Sequence, residues 1–172
     1  LRDVLLDSGI LIRSGGSFRE GAGAVLSVSR ESVEYLRYLF MNHECLHGIY
    51  FTDPGFREEV SRVYRSMDGR AVGFLQGYFS IIDSLDYDVN DRYLMENEFM
   101  AYVMQQPVDR VGPYFSGNLL DRFVRHGGDD NLASYMAETQ GAEFVRAAGE
   151  LDAYVFSRWG ISAGRVGLWF SY

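Results

Sequence analysis

One spacing pattern constrains this chain more than any other. Large apolar residues and two of the three histidines recur at alternating steps of four and three, at Leu36, Phe40, His43, His47 and Tyr50. Such steps place side chains on one face of an α-helix. The pattern predicts a helix that begins near residue 30 and carries both imidazoles on its large apolar, inward face.

Most of the remaining chain also has helical periodicity. Helices are predicted from Pro54 to Met67, from Arg70 to Leu85 and from Asp91 to Gln106, and then within 117–128, 130–139 and 141–160. Thr52 or Asp53 suits the cap of the first of these helices and Asn90 that of the third, which Pro107 ends. The aromatic tail at 164–172 is expected to pack on the core or to add a strand.

The front of the chain has the pattern of a strand. A glycine-rich stretch at 14–24 leads into residues 25–29, where Leu26 and Val28 alternate with serines. Alternation of this kind is typical of a half-buried strand. The expected fold class is therefore α+β and predominantly helical, with a small N-terminal β element followed by a helical bundle.

Composition limits the possible partners. A chain of 172 residues with 47% apolar content is long enough for one core, so a single domain over 1–172 is expected, and the start at Leu1 favours a fragment of a longer chain. A net charge of -8 argues against nucleic-acid binding. The apolar run at 71–82 is too short to span a bilayer, so no transmembrane segment is expected.

The two histidines of the stripe belong to a short motif, His43-Glu44-Cys45-Leu46-His47. Histidines four apart on a helix can meet one tetrahedral Zn²⁺, and a glutamate beside the first histidine is turned toward a metal-bound water. The alternative is a buried helix whose histidines are core residues with satisfied hydrogen bonds. That alternative requires a separate partner in the core for each inward polar group.

A catalytic zinc site needs a third protein ligand. The residues after His47 lack a further histidine at metal-ligand spacing, but Glu96 and Glu98 both lie on a later predicted helix. Helix geometry favours Glu98, which follows Asn97 in the sequence N-E-F-M-A at 97–101.

With H-E-x-x-H at 43–47 and N-E-x-x-A at 97–101, the chain resembles the gluzincin superfamily of zinc metallopeptidases. The resemblance implies a zincin-like fold in which His43, His47 and Glu98 bind Zn²⁺. It also implies that Glu44 is the general base and that a peptide or protein is the substrate. In gluzincins an edge strand just before the motif helix pairs with the extended substrate, a place that 25–29 would take here.

The chain departs from the best-known gluzincins at several points. Fifty residues separate His47 from Glu98, so a helical insertion at 54–85 is expected to fill the gap. Tyr102 stands where thermolysin-like enzymes carry an aspartate that orients a histidine ligand, so the outer partners are expected to come from elsewhere. Tyr102 and Tyr114 are the candidate donors to the oxyanion of the reaction.

The expected function is that of a zinc-dependent hydrolase, most simply a metallopeptidase. Two alternatives stay open: a zinc-binding but inactive interaction or structural domain of a larger protein, and a zinc hydrolase of non-peptide substrates. His126 is expected to end a helix, and Cys45 to be a packing residue. Isolated peptidases of this kind are often exported, which gives a weak expectation for the compartment; the oligomeric state is left open.

Overall fold

The computed structural model describes residues 1–27, 31, 33–82, 84–85 and 87–166. This described part is mostly helical with a small antiparallel sheet, as the sequence predicts. The helices are α1 Arg2–Asp7, α2 Glu34–Thr52, α3 Pro54–Arg65, α4 Gly69–Ile81, α5 Arg92–Met104, α6 Val108–Pro113, α7 Leu120–Arg125, α8 Asp130–Thr139 and α9 Ala142–Trp159, with a π-helix at Tyr114–Leu119 between α6 and α7.

The β element lies earlier in the chain than its alternating pattern predicts. Strands β1 Leu11–Ser14 and β2 Ser17–Glu20 pair as a hairpin whose turn contains Gly15, with a φ of 60° that suits glycine. Residues 25–27 are neither helix nor strand, and residues 28–29 lie outside the described part of the chain. The alternating pattern at 25–29 therefore predicted the strand at the wrong place in the chain.

The motif helix α2 begins at Glu34, four residues after the predicted start. Its second half is buried as expected, with Leu46, His47 and Tyr50 inside. Its first half is not: Leu36 is 37% exposed and Phe40 is 42% exposed. The spacing of the apolar residues and histidines predicted the helix correctly. It also predicted that the first half of the helix is buried, and that half is exposed among the described residues.

Capping side chains fix the ends of the helices beside α2. Asp53 accepts a hydrogen bond from the backbone N–H of Phe56, at 2.7 Å, and so starts α3 with Pro54 in its first turn, as predicted. The cap of α5 is Asp91 and not the predicted Asn90, because the Asp91 carboxylate accepts from two backbone N–H groups of the first turn.

Helix α5 is the central element of the helical part. It packs against α2, α3 and α9, and most of its length is buried. The core around it is rich in aromatic side chains, such as Phe99 on α5, Phe74 on α4 and Phe144 on α9. Because α2 and α5 pack side by side, side chains on their facing surfaces are brought together. Among the described helices none is long and apolar enough to cross a membrane.

Candidate metal centre

Two histidines from α2 and one glutamate from α5 meet between the helices. His43, His47 and Glu98 each offer one ligand atom, and these atoms all lie within 4.8 Å of one another. His47 and Glu98 are buried and His43 is half-buried. The two imidazoles come from successive turns of one helix, and their ring centroids lie 4.6 Å apart. This group could hold a metal ion.

The distances between the ligand atoms suit a shared ion better than direct hydrogen bonds. Nε2 of His43 lies 3.6 Å from Glu98 Oε2, and Nε2 of His47 lies 3.6 Å from Glu98 Oε1. A charged N–H···O hydrogen bond is shorter, at about 2.7–2.9 Å. Two ligands that each lie about 2.1 Å from one tetrahedral ion are themselves about 3.4 Å apart.

The hydrogen bonds of the other ring nitrogens orient both imidazoles toward the glutamate. Nδ1 of His47 lies 2.9 Å from Oδ1 of Asn97, and Nδ1 of His43 lies 3.1 Å from Oε1 of Gln105. An amide oxygen is an acceptor, so each Nδ1 is the donor of its pair, and Nε2 of each ring is the nitrogen that faces Glu98. Fixing the tautomer in this way is typical of metal-binding histidines.

Tyr114 lies behind the imidazole of His43. Burial raises the pKa of Tyr114, while a side-chain hydrogen bond with Gln105 works to lower it. Gln105 is also the residue whose Oε1 lies beside Nδ1 of His43. Tyr114 therefore supports the imidazole through Gln105 and does not contact it directly.

Glu98 stays ionised although it is buried. Burial works to raise its pKa, but the two neighbouring imidazoles and the hydroxyl of Tyr87 outweigh burial, so the pKa of Glu98 lies below its ordinary value. Tyr87 donates a hydrogen bond of 2.8 Å to Oε2 of Glu98. Two imidazole Nε2 atoms and one carboxylate thus meet in a small buried volume, and atoms of these types are ligands for a divalent cation.

Glu44, the predicted general base, lies on α2 between the two histidines in sequence and is half-buried. Its charge is close enough to Tyr87 to help raise the pKa of that phenol, after burial and Glu98. Within the described part of the chain, the Glu44 carboxylate makes no hydrogen bond or ion pair.

The remaining candidate residues lie at different distances from the group. Tyr102 packs its ring edge against His43, with centroids 5.5 Å apart, whereas Tyr114 reaches the histidine through Gln105. Glu96, the rival third ligand, faces away from the group and binds Ser61 at 3.0 Å and Arg92 at 2.7 Å.

The other histidine and the cysteine lie outside the group. His126 is the residue that ends α7, where its Nδ1 lies 2.8 Å from the carbonyl oxygen of Arg122. Cys45 is a half-buried free thiol whose pKa is raised by burial and by the charge of Glu44. A raised pKa disfavours the thiolate that a nucleophile or metal ligand needs.

Sequence reasoning overlooked Tyr87 and the specific roles of Asn97 and Gln105. Tyr87 belongs to the connection between α4 and α5, which has no periodicity that predicts where a side chain points. Gln105 follows the last residue of α5 and lies two turns after Glu98, a spacing that places both side chains on one face. Helical spacing could therefore have identified Gln105 but not Tyr87.

Comparisons of the chain with protein-family models, with curated proteins and with solved structures found no significant match.

Proposed function

We propose that the protein is a zinc-dependent hydrolase that cleaves peptide bonds. The observation that carries the proposal is the convergence of His43 Nε2, His47 Nε2 and the Glu98 carboxylate at the spacing of ligands on one tetrahedral ion. Two imidazoles and one carboxylate suit zinc, and three protein ligands leave a fourth position open, as in catalytic sites.

Each residue of the site has a defined part in the proposed reaction. When bound, zinc would lower the pKa of a water molecule toward neutrality and polarise the substrate carbonyl. Glu44 takes the proton of the attacking water and later gives it to the leaving amine. Asn97 and Gln105 hold the imidazoles in the metal-binding tautomer.

Tyrosine hydroxyls are the proposed second donors to the developing oxyanion. Tyr87 donates its hydroxyl hydrogen to the ligand Glu98, so we assign it to holding that carboxylate in place. Tyr102 lies beside His43. Tyr114 is engaged with Gln105 behind that histidine, so we assign it to the support of the site.

The segment from Ala24 to Leu26 runs past the motif helix α2 and supports the assignment of a peptide as the substrate. Leu26 and Ala24 lie over Gly48, at 3.5 and 3.7 Å from the position that a Cβ there would occupy. In the described structure the backbone groups of residues 23–25 make no hydrogen bond. Such unpaired backbone can bind an extended peptide by main-chain hydrogen bonds.

This segment also borders a cleft of about 720 Å³, which Phe51 and Tyr93 line from the opposite side. The ring of Phe51 stacks on the imidazole of His47, with centroids 6.3 Å apart. The ring of Phe51 thus lies between this cleft and His47, and we assign the cleft to the binding of an apolar part of the peptide.

The relation to gluzincins is part of the same proposal. Helices α3 and α4 occupy the stretch between His47 and Glu98, where a helical insertion is expected. The resemblance rests on the two ligand helices α2 and α5, and the pairing of amides with both histidines differs from the aspartate of thermolysin-like enzymes.

The proposal is tested by metal analysis together with an activity screen. We expect about one equivalent of zinc in the purified or zinc-loaded protein, hydrolysis of a fluorogenic peptide library, and loss of hydrolysis with 1,10-phenanthroline that added zinc restores. Failure to retain about half an equivalent of any divalent metal would sink the metal site. Stoichiometric zinc with hydrolysis of small esters or epoxides, but not of peptides, would refute the assignment of substrate.

The Asn97→Ala variant should bind zinc about 10- to 100-fold more weakly, because the Nδ1–H of His47 loses its acceptor and the ring loses its fixed tautomer. Asn97→Asp keeps an oxygen acceptor at the same place and should retain the wild-type affinity. Competition with a chromophoric chelator measures both variants. Equal zinc affinity of the alanine variant and the wild type would show that Asn97 does not position the ligand.

A further inference from the structure

The cleft beside the segment at 21–25 is walled mostly by apolar groups, and among the described residues that line it the charged one is Glu20, the last residue of β2. Glu20 pairs with Leu11 in the hairpin, and residues directly opposite each other on paired strands project from the same face. Leu11 also lines the cleft, so the Glu20 carboxylate lies on the side of the cleft that the hairpin forms.

The negative charge of Glu20 is not balanced by a cation of the described chain. Its carboxylate makes no ion pair or hydrogen bond with a described residue. Arg13, on the same face of the hairpin, lies over the ring of Phe18, with its guanidinium carbon 5.7 Å from the ring centroid. Arg57, near the other wall, donates to the carbonyl oxygen of Phe51 at 2.9 Å. The Glu20 carboxylate is therefore open to a cation from another molecule.

The wall opposite Glu20 presents two aromatic rings. Phe51 and Tyr93 are 51% and 50% exposed. The face of an aromatic ring attracts a guanidinium or ammonium group within about 6 Å, and a ring also packs against the methylene stem of such a side chain. Beside the rings, the hydroxyl of Thr52 donates to the carbonyl oxygen of Gly48 at 2.8 Å, so what this hydroxyl offers a ligand is an acceptor.

The backbone that follows β2 also offers acceptors. The N–H groups of Gly21 and Ala22 donate to the carbonyl oxygens of Ile10 and Gly9, at 2.8 and 3.1 Å. The carbonyl oxygens of Gly21 and Ala22 accept no backbone hydrogen bond within the described chain. A carboxylate, two aromatic faces and these oxygens are all groups that attract a cation, and the apolar walls suit a long hydrocarbon stem.

We propose that this cleft binds the arginine or lysine side chain of a peptide substrate. The stem of the side chain packs against Phe51 and Tyr93, and its cationic end pairs with Glu20. Arginine is favoured over lysine, because a planar guanidinium stacks on aromatic faces. The ring of Phe51 stacks on His47, so the basic residue lies within a few residues of the scissile bond. The inference rests on the proposed function, since it assigns the specificity of the same peptide site.

The test compares arginine with citrulline, which has the same shape without the charge, at each position of a fluorogenic peptide library. At one position kcat/KM should be about three- to thirtyfold higher for arginine, as expected for an exposed ion pair together with a cation–π contact. Glu20→Arg should abolish or reverse this preference. Asp7→Arg makes the same change of charge at an exposed residue outside the lining of the cleft, and it should keep the preference.

A binding measurement separates this inference from the hydrolase itself. Fluorescein-labelled hexa-alanine peptides, with one arginine or one citrulline scanned through all positions, are titrated into zinc-loaded Glu44→Gln protein, and anisotropy gives the affinity. Cleavage or binding without a preference for arginine that depends on Glu20 overturns the inference and leaves the hydrolase intact. Binding of the arginine peptides that depends on Glu20, without cleavage by the wild type, supports the cleft and counts against hydrolysis. Absence of both cleavage and binding overturns the inference together with the assignment of a peptide substrate.

Discussion

Glu44→Gln is expected to lower peptide turnover by on the order of a hundredfold or more while leaving zinc content unchanged. Glu44 is not one of the three grouped ligands, and its carboxylate makes no bond within the described structure that the substitution would break. The amide is nearly the same size, but it cannot accept the proton of the attacking water. Single-turnover kinetics on a cleaved library peptide measures the effect on chemistry directly.

Glu34→Gln is the matched control, because it makes the same chemical change at the exposed start of the same helix. Its turnover should equal that of the wild type. The two variants together separate the loss of one specific base from the loss of one negative charge on α2. A Glu44→Gln protein that holds zinc and turns over at the wild-type rate would remove Glu44 from the mechanism.

The helical part of the fold was largely predictable because its periodicity is strong and local. The spacing of His43, His47 and Tyr50 predicts one inward helical face, and Asp53 with Pro54 predicts a helix start, since both signals act within one or two turns. The β hairpin at 11–20 was not predicted. Its strands are mostly exposed on both faces, so no alternation of apolar and polar residues reveals them.

The proximity of His43 and His47 also followed from spacing, because residues four apart on a helix must project from the same side. The geometry of α5 favoured Glu98 over Glu96, and the hydrogen bonds of Glu96 to Ser61 and Arg92 account for that residue separately. What spacing could not give is the contact of Tyr87 with Glu98. That contact depends on the path of a connection between helices, which tertiary packing sets.

The choice between Glu98 and Glu96 offers the sharpest test of the metal centre. The two glutamates lie on the same helix and have nearly the same exposure, 7% and 6%. Only Glu98 is grouped with the histidines. Conversion of each to glutamine removes the same charge from the same depth, so a general effect of burial or helix stability should be shared by both variants.

Glu98→Gln should therefore weaken zinc binding by more than the about 10- to 100-fold that is typical for loss of an outer partner, whereas Glu96→Gln should bind zinc as the wild type does. Thermal unfolding provides a second readout, because an ion that binds the folded state at 100 times its Kd adds about 2.7 kcal/mol of stability. Zinc should raise the melting temperature of the wild type and of Glu96→Gln, but not that of Glu98→Gln. The reverse result, with zinc stabilising Glu98→Gln and not Glu96→Gln, would move the third ligand to Glu96. In that case the group of His43, His47 and Glu98 would not be the metal site, and the proposed hydrolase would lose its structural basis.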